Sequence, residues 1–138
     1  MGDFNPRWGF QCFCLKVNGE PPARLQIVGK FDKLRRNDPN TIGAVRFLFF
    51  ARIDGLESNK PYRFTLEVRK DNKQLARPPI HIVVQANPSG LAESYAEFYV
   101  EVRLPLPHPT ARYFFDARVG SKSLPAVILP LIEKQTRK

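Results

Sequence analysis

The sequence predicts an all-β fold in which two antiparallel sheets pack against each other. Apolar and polar residues alternate strictly in several segments, most clearly over residues 62–69, where every even position is apolar and every odd one polar. This is the period of a strand with one buried and one solvated face. Prolines and glycines separate such segments at intervals of roughly ten residues, and no long helical period occurs. We expect an immunoglobulin-like sandwich of about seven to nine strands, with closure into a small β-barrel as the alternative.

The predicted strands follow from where the alternation starts and stops. In chain order they span residues 10–17, 23–34, 44–53, 62–69, 74–76, 80–86, 95–104, 111–119 and 124–132. Gly29 is expected to bend the second strand, and Asp54-Gly55 to close the third. The polar stretch 70–73 is predicted to form a tight hairpin turn, because Asp and Asn tolerate the backbone angles that such a turn requires.

Prolines mark two further features of the C-terminal half. Pro105, Pro107 and Pro109 cannot continue ladder pairing, so they predict a stiff extended connection between sheets. Pro125 and Pro130 lack the N–H group that a central strand donates. The last strand is therefore predicted to lie at a sheet edge.

Several of these segments resemble known proteins. The strings LQIVGKFD at 25–32 and YRFTLEV at 62–68, the Leu104-Pro105 step that leads to YFF at 113–115, and SLP at 123–125 are similar to a group of small uncharacterised bacterial β-sandwich proteins. The resemblance implies the sandwich fold and a bacterial protein, and it implies no activity. Members of that group open with an apolar strand that ends in an acidic residue, which the segment 10–17 lacks.

Length and composition indicate one domain over residues 1–138, with a charged, flexible tail at 133–138. A chain of this length buries about two-thirds of its unfolded surface without a metal or disulfide. No apolar run approaches the roughly eighteen residues of a membrane span. The first six residues have neither the basic nor the apolar region of a signal peptide. We therefore expect a cytoplasmic protein without a membrane span.

The two cysteines, Cys12 and Cys14, lie two residues apart and point to the same face of a strand. Two such Cα atoms are roughly 6.5–7 Å apart, at the limit of what a disulfide tolerates. We expect buried free thiols. A metal or redox role is the alternative, although only His81 and His108 could complete a tetrahedral site.

The sequence lacks the patterns that mark common catalytic sites. Neither His81 nor His108 has a recognisable nucleophile or acid partner, and phosphate-binding Gly-rich loops and His-Glu-x-x-His motifs do not occur. The turn 70–73 holds Asp and Asn as a calcium loop does, but lysines flank them on both sides and would repel the cation. The sequence thus predicts a non-enzymatic protein with no cofactor and no metal.

The chain is strongly basic, with 22 Lys and Arg against 13 Asp and Glu and a net charge of +9. Such a charge favours anionic partners, nucleic acid among them. One dense cluster stands out and is the candidate anion-binding site: Lys30, Lys33, Arg35 and Arg36. A basic nucleic-acid-binding protein is therefore the alternative function.

Two segments place large apolar residues on the face that should meet water. If the odd positions of 45–53 face the core, two arginines bracket Leu48 and Phe50 on the outer face, and Phe114 lies among arginines in the same way. The candidate partner surface comprises Arg46, Leu48, Phe50, Arg52, Arg112, Phe114 and Arg118. Exposed aromatic residues beside arginine are typical of interface hot spots. The sequence predicts a protein-interaction or assembly module, binding another protein or its own copies, unless Phe4, Trp8 and Phe10 of the N-terminal arm cover these faces.

Overall fold

The structure is a computed structural model that describes residues 5–19, 26–36, 43–57, 60–71, 73–86, 94–106 and 112–133. Of these, residues 35–36, 43–44, 94, 105–106 and 132–133 are described by their backbone alone. The fold is all-β, as predicted, and the described residues form strands and turns without a helix. Accordingly, no helix in these ranges is long and apolar enough to cross a membrane.

Eleven strands occur within the described ranges, in place of the seven to nine expected. They are β1 (Arg7–Cys14), β2 (Lys16–Asn18), β3 (Gln26–Val28), β4 (Leu34–Arg36), β5 (Gly43–Leu56), β6 (Pro61–Lys70), β7 (Ile80–Gln85), β8 (Ser94–Leu106), β9 (Arg112–Val119), β10 (Lys122–Ser123) and β11 (Val127–Glu133). The excess comes from short strands of two or three residues, which are β2, β3, β4 and β10. The predicted tail at 133–138 begins at the last residue of β11, and residues 134–138 lie outside the described ranges.

The strands form three sheets that do not close into a barrel. A three-stranded sheet has the order β1-β5-β8, and a six-stranded sheet has the order β4-β11-β9-β6-β7 with β10 beside β9. Strands β2 and β3 pair as a separate hairpin, which we call the cover hairpin. Neighbouring strands are antiparallel except β4 and β11, which run parallel.

The core lies between the three-stranded and six-stranded sheets. In β6 the even positions Tyr62 to Val68 are buried, as the alternation predicted. Aromatic rings join the two sheets: Phe49 of β5 stacks on Phe115 of β9 at 5.8 Å between centroids, and Phe64 of β6 meets Phe98 of β8 at 4.6 Å. Burial of these large rings stabilises the fold.

Two predictions from proline are wrong. β11 is not an edge strand, because β4 pairs with it on the side away from β9. That pairing begins at Leu131, after Pro130, so the missing N–H interrupts no part of it. Likewise β8 continues through Pro105, which pairs with Ala44. A proline is tolerated there because, among the described strands, β8 has a neighbour on one side only.

Two bends turn the chain onto the outer face of the three-stranded sheet. The predicted strand 10–17 breaks at Leu15, whose N–H donates to the Val28 carbonyl at 3.2 Å. The segment after β3 bends at Gly29, as predicted, where the positive φ of +73° favours glycine. The bends place the cover hairpin over β1 and β5.

Strand β5 passes through Gly55 rather than ending there. The register with β8 shifts between Ile53 and Leu56, which marks a bulge. Gly55 has a φ of +80° and accepts a hydrogen bond from the Asn5 N–H at 3.0 Å. A Cβ at Gly55 would lie 1.9 Å from the Asn5 carbonyl oxygen, so only glycine lets the N-terminal segment approach this closely.

The turn after β6 forms as predicted. The Lys73 N–H donates to the Lys70 carbonyl at 2.9 Å, and Lys73 itself takes the left-handed conformation with a φ of 67°. The predicted strand 74–76 is reduced to a single bridge between Arg69 and Leu75. The turn fixes two lysines at the end of the six-stranded sheet.

Candidate interaction site

The outer face of the six-stranded sheet carries part of the predicted partner surface. On β9, Arg112 and Arg118 are exposed and Phe114 is half-buried, whereas Tyr113 and Phe115 between them face the core and are buried. The alternation of β9 therefore directs Phe114 away from the core.

Phe114 has an apolar neighbour on the next strand. Ile128 of β11 lies directly opposite Phe114 in the ladder and is 47% exposed. The Arg112 guanidinium lies over the Phe114 ring, 5.3 Å from its centroid. The two apolar side chains form a small patch with a cation on one side.

A groove runs from this patch to the turn after β6. Its volume is about 380 Å³, and the residues that line it are Arg69, Lys70, Asp71, Lys73, Phe114 and Asp116. This volume is at the lower end of the range of small-ligand sites. It is large enough for one or two side chains of a partner.

Ion pairs compensate most charges around the groove. Arg69 contacts Glu67, and its Nε lies 3.6 Å from an Asp116 carboxylate oxygen. Glu67 also accepts from Arg118 at 3.2 Å. Within the described part of the chain, no ion pair involves the two lysines of the turn, Lys70 and Lys73. The groove therefore combines an aromatic wall with two ammonium groups that remain able to bind an anion.

The part of the predicted surface on β5 is not a solvent-facing patch. Phe50 is only 4% exposed, which corrects the expectation that this ring meets water. It lies in a second apolar cluster on the outer face of the three-stranded sheet. The members of this outer cluster are Cys12, Cys14 and Phe50, with Leu48, Val17 and Ile27 packed against them. Val17 and Ile27 belong to strands β2 and β3 of the cover hairpin, so this chain itself buries the ring.

The N-terminal arm covers this face less than the alternative prediction requires. Phe10 meets Phe50 edge-on at 6.1 Å between centroids and remains 39% exposed. Trp8 faces the other side of the sheet, where it packs on Phe49 and donates from Nε1 to the Pro125 carbonyl at 2.8 Å. Phe4 lies outside the described residues.

The two arginines that bracket this part of β5 are exposed in part and ion-paired. Arg46 lies 3.2 Å from Glu101 and Arg52 lies 2.9 Å from Asp54. The Arg52 guanidinium also stacks on the Tyr95 ring at 4.0 Å. Because their neighbour Phe50 is buried, these arginines do not frame an apolar contact patch.

Cys12 and Cys14 are free, buried and on one face of β1, as predicted. Burial raises the pKa of the Cys14 thiol to about 11, and the Cys12 thiol beside it adds to the shift. Burial also raises the pKa of Cys12. Since the thiolate is the reactive form, both groups are held in the unreactive state at neutral pH.

We expect neither thiol to react with a thiol reagent at neutral pH until the protein is unfolded. Rapid labelling of both cysteines in the absence of denaturant would contradict the buried arrangement.

The raised pKa of Cys14 has a second consequence. Above its ordinary value of 9.0 the unfolded chain loses this proton and the folded protein retains it, so stability is full below about pH 9 and falls as the pH rises toward 11. Urea midpoints measured across this range should fall less steeply for Cys14→Ala, which has no thiol to titrate at that position.

The candidate anion-binding residues are described only in part. Lys30 and Lys33 are exposed, and the Lys30 ammonium lies over the Phe10 ring at 5.3 Å, beside the three-stranded sheet. Arg35 and Arg36 belong to β4 in the six-stranded sheet, and their side chains lie outside the described part. Whether the four cationic groups act together stays a prediction.

The described histidine and acidic residues form no metal-binding cluster. His81 is exposed on β7, where Nδ1 lies 3.2 Å from the Thr65 hydroxyl. His108 lies outside the described residues. Over the described ranges, no group of three or more His, Cys, Asp and Glu side chains is arranged to hold a metal.

Sequence reasoning missed three residues of the candidate site. Lys70 and Lys73 were assigned only to a turn, and Ile128 only to a strand. Nothing local indicates that this turn and β11 both border β9, because the pairing joins segments far apart in the chain. The one usable signal is the pair of lysines in a turn that follows an alternating strand.

Comparisons of the chain with models of protein families, with curated proteins and with solved structures found no match.

Proposed function

We propose that this chain is a non-enzymatic protein-interaction or assembly module that binds through the outer face of the six-stranded sheet. We call the contact region the Phe114 surface; it consists of Lys70, Lys73, Arg112, Phe114 and Ile128. The observation that carries the proposal is the solvent-accessible pair of Phe114 and Ile128 beside a groove with two lysines that make no ion pair with a described residue. Aromatic and basic residues around a central apolar contact are typical of interface hot spots.

The chemistry of the Phe114 surface fits an acidic protein segment that carries one large apolar side chain. The apolar side chain would enter the groove against Phe114, and carboxylates flanking it would meet Lys70 and Lys73. The net charge of +9 on the whole chain would speed the encounter with such a partner.

We expect Phe114→Asp to abolish capture of the partner, because it places a carboxylate in the centre of the contact. The matched control is Val83→Asp, since Val83 is 72% exposed on β7 of the same sheet but does not line the groove. The measurement is an affinity pull-down from source lysate, split into nuclease-treated and untreated halves. Loss of a nuclease-resistant protein band with Phe114→Asp but not with Val83→Asp supports the proposal. Equal retention by all three proteins contradicts it.

A basic nucleic-acid-binding protein is the second candidate, and one observation favours it. Lys30 lies over Phe10, which is 39% exposed, so a cation and an accessible ring share one surface. Exposed rings beside cations are the elements on which single-stranded nucleic acid stacks. In the same pull-down, this function predicts that material is recovered only without nuclease, and that its recovery falls steeply as salt rises.

The proposal also includes a fold class and a cellular location. We propose that the two core-forming sheets make an immunoglobulin-like sandwich, supported by the rings that contact each other between them. A cytoplasmic location is supported by the two free, buried thiols, since reducing compartments keep cysteines in this form.

A further inference from the structure

Strand β8 presents a long edge. It is 13 residues long, forms one side of the three-stranded sheet, and pairs with β5 at every residue except Tyr95. On its other side no strand pairs with it within the described ranges. A regular edge of this length presents a row of unpaired N–H and C=O groups that can pair with another strand.

The other sheet edges in the described structure carry devices that discourage such pairing. β1 has a register shift between Trp8 and Phe10, and the Phe31 N–H donates to its Phe13 carbonyl at 2.9 Å. β4 has only three residues. β7 has six residues and follows Pro78-Pro79. Short strands, bulges and prolines are the usual protections of an edge, and β8 has none of these before Pro105.

We propose that β8 pairs antiparallel with β8 of a second copy of this chain, about a two-fold axis at Val100. The two three-stranded sheets would then join into one continuous sheet across the dimer. The axis at Val100 is the centre of Ser94–Leu106, so the strand pairs with itself over its full length. This surface is separate from the Phe114 surface, and the two proposals stand independently.

Charge complementarity selects this register. On the outer face of β8, an axis at Val100 places Glu97 opposite Arg103 of the second copy, and symmetry repeats the pair. Glu97 makes no ion pair with another described residue in one chain, and Arg103 reaches only Glu101 at 4.0 Å. Opposite charges across a ladder stabilise the pairing, and like charges oppose it.

Neighbouring registers are less favourable. An axis between two residues shifts the register by one. It would bring the core-facing side chains of one strand opposite the outward-facing side chains of the other. An axis at Tyr99 places Glu97 opposite Glu101 twice, and an axis at Glu101 places that acid opposite itself. An axis at Val102 pairs Glu101 with Arg103 but leaves the first four residues of each strand unpaired.

The test measures the mass of the protein in solution, before and after the charges on β8 are reversed. Wild type should sediment at up to twice the 15.8 kDa mass of one chain as concentration rises. Arg103→Glu places two acids opposite each other at two symmetric positions and should raise the dimer dissociation constant about tenfold or more. Adding Glu97→Arg to Arg103→Glu restores both pairs with reversed sign and should restore the dimer.

Arg46→Glu is the matched control. Arg46 lies directly opposite Arg103 on β5, contacts the same Glu101, and has a similar side-chain exposure of 64% against 62%. Arg46→Glu therefore makes the same change in charge on β5, one strand further from the edge. The dimer should persist in this variant. A wild-type protein that stays monomeric at all concentrations overturns the proposal. So does a dimer that survives Arg103→Glu, or a folded double variant that fails to dimerise.

A disulfide trap tests the register independently of affinity. An axis at Val100 brings Tyr99 of one copy opposite Glu101 of the other, within the Cα separation that a disulfide allows. A mixture of Tyr99→Cys and Glu101→Cys chains should therefore form the mixed disulfide on mild oxidation. Each variant alone places its cysteines a diagonal step apart and should cross-link much more slowly. Equal cross-linking in all three samples would overturn the register.

Discussion

Replacing Phe50 with aspartate is expected to lower the free energy of unfolding by about 4 kcal/mol or more, enough to unfold a marginally stable domain. The ring is 4% exposed beneath the cover hairpin, beside Cys12 and Cys14. The substitution removes the ring from this outer cluster and buries a carboxylate among its apolar side chains. Urea denaturation followed by tryptophan fluorescence measures the loss, since Trp8 packs on the opposite side of the same sheet.

Phe114→Asp is the matched control for Phe50→Asp. It makes the same chemical change on an outer sheet face, but the side chain is only half-buried, so we expect a cost of about 1 kcal/mol. If Phe50→Asp does not express, Phe50→Leu keeps the site apolar and should lose less stability. Near-wild-type stability of Phe50→Asp would show that the cover hairpin does not close over β5.

Replacing Gly55 with alanine is expected to cost about 3 kcal/mol or more. The positive φ strains any other residue, and the added Cβ would lie 1.9 Å from the Asn5 carbonyl oxygen, so the N-terminal segment must move. Moving it would break the hydrogen bond from the Asn5 N–H to Gly55. Gly120→Ala separates the two causes, because Gly120 also has a positive φ of +59° but no atom within 4 Å of the added Cβ.

For Gly120→Ala we expect only the conformational cost, about 1 kcal/mol. Chemical denaturation of both variants gives the comparison. Equal losses would show that the backbone angle alone matters and that the N-terminal segment does not pack against Gly55.

The alternation of the sequence is sufficient to predict which faces of β5, β6 and β9 meet the core. It separated Phe49 from Phe50 and Phe115 from Phe114. It did not predict that Phe50 is buried, because alternation reports the face of a strand and not what covers that face. The cover hairpin lies over β5 only after bends at Leu15 and Gly29, and its packing is tertiary.

The breaks in the chain were harder to interpret. Asp54-Gly55 predicted the end of a strand, but the Asn5 N–H holds the chain in a bulge, and β5 continues. Pro130 predicted an edge, but β4 pairs only beyond it. The groove beside Phe114 follows from the turn 70–73 lying next to β9, a contact between distant segments that periodicity does not encode.

The parallel pairing of β4 with β11 has a consequence for how the protein folds. Leu34 pairs with Leu131, and Trp8 donates to Pro125 across 117 residues of sequence. Contacts so distant along the chain give a high contact order, and the entropy of closing these long loops must be lost before the contacts form. A nascent chain therefore cannot complete the six-stranded sheet until β11 has emerged from the ribosome, so β4 lacks its partner strand while residues 37–126 are synthesised.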